Sequence, residues 1–86
     1  MYIIMTYDVN AKRVVRVLKA GRRYLSHVQN SVLEGELSPG QFRSLQRDVK
    51  RIIEKEDAVL FYTLQTGKYL CKVQLGLPSR QIDNVV

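Results

Sequence analysis

A single cysteine, Cys71, occurs among the 86 residues, so no disulfide forms within the chain and a CxxC-type zinc site is absent. The fold must stand on its apolar core. No apolar run approaches the ~20 residues that a membrane-spanning helix requires, and the N-terminus lacks the basic stretch and cleavage site of a signal peptide. A cytoplasmic protein with no membrane partner is expected. Glycine-rich phosphate loops and dinucleotide-binding turns are missing, as are internal repeats and low-complexity tracts. Ser31 and Ser38 have no base at a recognisable spacing, which argues against a serine nucleophile. Negative charge is the scarce sign: 8 Asp and Glu stand against 14 Lys and Arg, a formal net charge of +6. That surplus suits a polyanionic partner, nucleic acid above all.

What is present is a core. Hydrophobic residues make up 45% and charged residues 26% of the chain, the balance of a folded domain. The length fits one domain over residues 1–86, and a chain of this size buries only roughly 60–65% of the surface its unfolded form exposes. A second subunit would help to stabilise it.

Tyr2 to Tyr7 is β-branched and aromatic and closes at Asp8 with Asn10 following, the pattern of a strand and turn. From Lys12 to Leu25 the period changes to that of a helix. Val14, Val17, Leu18, Gly21 and Leu25 share one face, while Lys12, Arg16, Lys19 and Arg23 line the other. Asn10 or its neighbour is the expected cap. His27 to Glu34 reads as a second strand, or as part of a hairpin of His27–Asn30 and Val32–Leu37. Ser38-Pro39-Gly40-Gln41 offers a Ser cap, a Pro at the first helical position and a Gln three residues after the cap. The helix it opens is expected to run to about Glu56. Ala58–Leu64 reads as a central strand, Thr66-Gly67-Lys68 as a turn and Tyr69–Leu75 as a further strand. The order β-α-β-α-β-β, with the second strand split to give a hairpin, describes an α+β, ferredoxin-like domain. Its antiparallel sheet carries both helices on one face.

In the first strand Ile3 and Met5 alternate with an equally apolar Ile4, and Val59 and Phe61 alternate with Leu60 and Leu64. Two helices cover one face of such a sheet, so the other face is expected to dimerise on itself. The apolar end of the C-terminal segment 77–86 is expected to pair with the other subunit.

Asp8 is the sharpest candidate for chemistry. A strand end aims its carboxylate at the surface, where it either caps a turn or offers hard oxygen to a divalent cation such as Mg²⁺. Two copies near a dimer axis would hold a metal together with a phosphate. The first helix carries six of the fourteen cations: Lys12, Arg16, Lys19 and Arg23 in a stripe, with Arg13 and Arg22 beside it. Either this face is solvated or it tracks a phosphate backbone. His27 is a phosphate contact, an acid or base, or a structural residue. Cys71, in an apolar alternation, is expected in the core.

The strand end Tyr7-Asp8-Val9, the basic helix and the segment Val28-Gln29-Asn30-Ser31-Val32-Leu33-Glu34-Gly35-Glu36-Leu37 resemble the small CRISPR-associated protein family that partners the CRISPR integrase in spacer acquisition. The resemblance covers nearly the whole chain. It implies a ferredoxin-like homodimer whose C-terminal strand pairs with the other subunit. It also implies that Asp8 binds a divalent metal across the dimer axis, and that the protein is a metal-dependent endonuclease of RNA or DNA that bridges DNA for the integrase. Leu33 stands where the family commonly has Phe, and His27 where Arg is frequent. Two other readings remain open: a non-catalytic DNA-bridging scaffold, and a single-stranded RNA-binding domain, which lacks its expected Arg/Lys-Gly-aromatic signature between Ala58 and Leu64.

Overall fold

A computed structural model of the chain describes residues 1–65 and 69–76. The elements are β1 (Tyr2–Asp8), α1 (Ala11–Arg22), β2 (Ser26–Gln29), β3 (Val32–Glu36), α2 (Pro39–Lys50), β4 (Ala58–Gln65) and β5 (Tyr69–Gly76). One antiparallel sheet joins all five strands in the order β2-β3-β1-β4-β5. The turn expected at Thr66-Gly67-Lys68 and the segment 77–86 lie outside the described residues.

The second strand is the hairpin β2–β3, so the order is β-α-β-β-α-β with β5 added at the edge. Its turn is made possible by Asn30, which takes a φ of 30°, a region that Asn tolerates better than most residues. Both helix starts follow their caps. The Asn10 side chain accepts from the Lys12 backbone N–H at 2.9 Å. Ser38 and Gln41 form a reciprocal capping box, each side chain bonded to the other's backbone N–H at 3.1 and 2.9 Å, with Pro39 just inside.

α2 ends at Lys50, short of Glu56. Ile52 and Ile53 keep the apolar period, yet they pack on the core from a turn. The backbone leaves the helix because Asp57 accepts the Glu54 N–H at 2.8 Å, a tertiary contact that periodicity does not register.

Alternation along β1 separates two faces. Ile3, Met5 and Tyr7 are buried with Val17 and Ala20 of α1, Phe42, Leu45 and Val49 of α2, Leu33 of β3 and Phe61 of β4. Both helices therefore cover the same side of the sheet. Phe42 meets Phe61 edge to face, ring centroids 5.3 Å apart, a favoured aromatic geometry. α1 lies close on the strands at Gly21, where a β-carbon would stand 3.1 Å from Leu33 Cδ2 and 3.4 Å from Met5 Sδ. Cys71 is a correction: it shares the helix-side parity opposite Thr63 but is exposed, because β5 is the edge strand.

Candidate active site and nucleic-acid interface

Asp8 is the last residue of β1, exposed, and opposite Ala58 of β4. It has the parity of Tyr2, Ile4 and Thr6, so it belongs to the sheet face that neither helix covers. β1 lies between β3 and β4; the ladder to β3 stops at Thr6 and the ladder to β4 continues to Asp8, which makes the strand end a firm mount for a functional group. Beside Asp8 is a depression of about 400 Å³ lined by Tyr7, Asp8, Val9, Val14, Asn30 and Ser31. The Tyr7 backbone N–H donates to the Ser31 carbonyl at 3.2 Å, tying the hairpin turn to the strand end. The Tyr7 side chain points to the other face, into the core, where burial pushes its phenol above the usual tyrosine range.

A buried ion pair holds the backbone that follows Asp8. Asp57, with no exposed surface, accepts the Asn10 backbone N–H at 2.9 Å and the Arg13 Nε–H at 2.6 Å. It takes a further Arg13 bond from Nη2 at 3.2 Å, besides the bond from Glu54. Arg13 also reaches Glu56 at 2.7 Å. The Arg13 guanidinium, assisted by those backbone N–H groups, holds the Asp57 carboxyl down to about 2 against the cost of burial. The same partners raise Arg13 further. Arg13, expected beside the phosphate-tracking stripe, is thus committed to the α2–β4 loop. Gly76, at a φ of 91°, closes the cluster: a β-carbon there would collide with the Asp57 carbonyl oxygen.

Lys12, Arg16, Lys19 and Arg23 are exposed along α1, as their spacing predicts, with Arg22 beside them. The stripe shares only its Lys12 end with Asp8. The rest runs away over the helical layer while the carboxylate faces the opposite side of the sheet. α2 carries a second exposed set, Arg43, Arg47, Lys50 and Arg51, which the sequence reading missed. Their i, i+4, i+7, i+8 spacing behind a strong cap was a sufficient signal. Between the two stripes stands Asp48, which accepts the Tyr24 hydroxyl at 2.7 Å and lies 3.9 Å from an Arg23 nitrogen. That bond, with burial behind it, raises the Tyr24 phenol. His27 is exposed on the edge strand β2 with Nε2 2.6 Å from the Asn30 carbonyl oxygen, so that nitrogen donates. It touches the depression only through Asn30.

Among the described residues, no three His, Cys, Asp or Glu side chains stand together as a metal cage, and no helix is long and apolar enough to cross a membrane. An exposed strand-end carboxylate is chemically suited to Mg²⁺, which takes few protein ligands and completes its shell with water and phosphate oxygens.

These features define a class: small, basic, ferredoxin-like α+β proteins with an exposed carboxylate at the end of the first strand. The chain belongs to the CRISPR associated protein Cas2 family, whose pattern matches residues 1–71. A Thermotoga maritima protein named CRISPR-associated endoribonuclease Cas2 is 55% identical over 78 residues, 90% of each chain. A protein of the same name from Dictyoglomus turgidum is 44% identical over 100% of both chains. A cas2 crystal structure superposes with a TM-score of 0.70 at 52% identity, covering 72% of this chain and 71% of that one. Streptococcus pyogenes Cas2 at pH 6.5 superposes with a TM-score of 0.69 at 35% identity, over 76% of this chain and 87% of that one.

Proposed function

We propose that the protein serves CRISPR spacer acquisition as a homodimer that binds nucleic acid and cleaves phosphodiester bonds at Asp8 with a divalent cation such as Mg²⁺. The observation that carries this reading is the placement of Asp8. It closes the central strand β1, exposed beside an open depression, with the parity of the sheet face that neither helix covers. The name shared by the relatives, CRISPR-associated endoribonuclease, supports RNA as a substrate.

Asp8 would hold the cation, with its counterpart from the second subunit and the substrate phosphate supplying further oxygens. A divalent cation bound there lends charge neutralisation and a more acidic water to phosphodiester hydrolysis. The protein's own part is positioning. Asp57 fixes the Asn10 backbone two residues after Asp8, and Asn30 and Ser31 offer polar groups at the wall of the depression. Lys12, Arg16, Lys19 and Arg23, together with the α2 cations, draw the phosphate backbone to the helical layer.

Cleavage of end-labelled single-stranded RNA and duplex DNA by wild type and Asp8→Ala, with Mg²⁺ and with chelator, tests the reading. Cleavage that needs Mg²⁺ and disappears in Asp8→Ala is the expected result. One observation favours a second reading, a non-catalytic bridge that presents DNA to the CRISPR integrase: Asp8 is the single carboxylate among the residues that line the depression, while both helices bring cations. No cleavage above background, with salt-sensitive duplex binding equal in the two proteins, decides for the bridge.

A further inference from the structure

Three stretches of chain meet at the depression beside Asp8: the end of β1 with Val9, the start of α1 at Val14, and the β2–β3 turn at Asn30 and Ser31. Its space of about 400 Å³ falls within the ~300–1,000 Å³ of small-ligand clefts. Val9 and Val14, both half-buried, give it an apolar wall. The turn is tied from outside: His27 Nε2 donates to the Asn30 carbonyl at 2.6 Å and the Tyr7 N–H to the Ser31 carbonyl at 3.2 Å. What these two residues offer a ligand is therefore a side-chain amide and a hydroxyl. Asn30 holds a φ of 30°, which glycine would take without strain, and an asparagine there adds two donors and an acceptor to the wall. A flat ligand with apolar faces and a hydrogen-bonding edge fits such a site.

We propose that the depression receives one unpaired base of an RNA strand, its face on Val9 and Val14 and its edge on the Asn30 amide, with the strand's phosphate toward Asp8. The proposal rests on the nucleic-acid reading above and goes further by naming what the same site recognises. Charge favours a base carried on a strand over a free neutral heterocycle, since Lys12 stands exposed at the start of α1 and the chain has a net charge of +6. A base within a duplex is stacked and its edge is taken, so only an unpaired base enters. Duplex held by its phosphates on the helical cations bypasses the depression.

Asn30 is then a specificity-determining residue. Its amide offers a donor and an acceptor together, and every base presents a donor beside an acceptor on its pairing edge, so Asn30 receives all four. A carboxylate in its place offers acceptors only. Guanine alone presents two adjacent ring-edge donors to meet it.

Fluorescence anisotropy in chelator tests the site with end-labelled short RNA strands that carry one base, A, C, G or U, among abasic spacers, and with a strand of spacers alone. A single base is expected to tighten binding to wild type by roughly three- to tenfold over the base-free strand. Asn30→Gly, which suits the backbone, is expected to lose roughly half of that gain or more, and Asn30→Asp to move the preference toward guanine by roughly threefold or more. The added charge acts alike on every strand, so it drops out of the ratio between bases. Circular dichroism checks each fold, and either variant serves if the other fails to fold. A base that adds nothing, or a gain of the same size and base order in wild type and both variants, overturns the base site. Chelator keeps this outcome apart from cleavage. Cleavage with Mg²⁺ but no gain from a base removes the base site alone, and a gain from a base without cleavage removes the nuclease reading alone. No binding of any strand overturns both.

Discussion

Arg13 and Asp57 show how one residue's role depends on contacts that the local sequence hides. Arg13 follows Lys12 by about 100° on the helical wheel, which turns it off the basic stripe and under the loop ahead of β4. Its partner is 44 residues away, so spacing within the helix flags only that Arg13 is out of line. Asp57 in turn reads as one more loop acid until the fold brings Asn10, Arg13 and Glu54 to it. Breaking a buried pair of this kind leaves the remaining groups unsatisfied, and Asp57→Ala is expected to cost about 3 kcal/mol in urea unfolding at pH 7. The pair also has a pH signature. Asp57 titrates near 2 in the folded protein and near ~3.9 unfolded, so its contribution is complete above about pH 4 and is lost as pH falls toward 2. That contribution is worth about 2 kcal/mol. Urea midpoints measured from pH 6 to pH 2.5 should decline less steeply in Asp57→Asn than in wild type; parallel declines would mean that Asp57 does not set the acid sensitivity.

The helices were legible at their starts and misjudged at an end. Asn10 and Ser38 cap where their types and spacing indicate because capping is local chemistry, settled within four residues. The close of α2 is decided by Asp57 gripping the Glu54 backbone, so Ile52 and Ile53 prolonged the apolar pattern past the last helical turn. Charge along the helices divides similarly. The α1 stripe was read from its spacing, and the α2 stripe, equally regular, emerges as a partner once both helices lie on one side of the sheet. Binding of duplex DNA followed against salt separates these groups. Replacing Lys12, Arg16, Lys19 and Arg23 by Gln should lower the slope of log K against log salt by about 0.9 for each phosphate that is no longer neutralised. The same change at Arg43, Arg47, Lys50 and Arg51 measures how far α2 shares in binding the duplex. Arg13→Gln is expected to leave the slope alone and lower stability instead. An equal fall in slope for Arg13→Gln would return it to the interface.

At the scale of the molecule, the same strands serve two surfaces, and this was visible in sequence as apolar residues at both parities of β1 and β4. The edge position of β5 was not visible, and Cys71 accordingly reads as core but stands exposed. The proposed homodimer, formed through the sheet faces opposite the helices, would turn both helical layers outward, so two basic surfaces would point away from each other and nucleic acid could be held on either side of one particle. Ile3 and Ile4 make the division testable with neighbouring residues of identical chemistry. Ile3 is fully buried beneath the helices, and Ile3→Ala is expected to destabilise the fold by about 3 kcal/mol, with the dimer dissociating only as the protein unfolds. Ile4 is half-buried on the other face, where a carboxylate can stay hydrated in a lone subunit but is desolvated between two apolar faces. Ile4→Asp should therefore keep its far-ultraviolet circular dichroism and sediment as a monomer. Its melting temperature should also cease to rise with protein concentration, since that dependence comes from association. A folded Ile4→Asp that remains dimeric would place the interface on some other surface, and the basic helical layers would then no longer be bound to point in opposite directions.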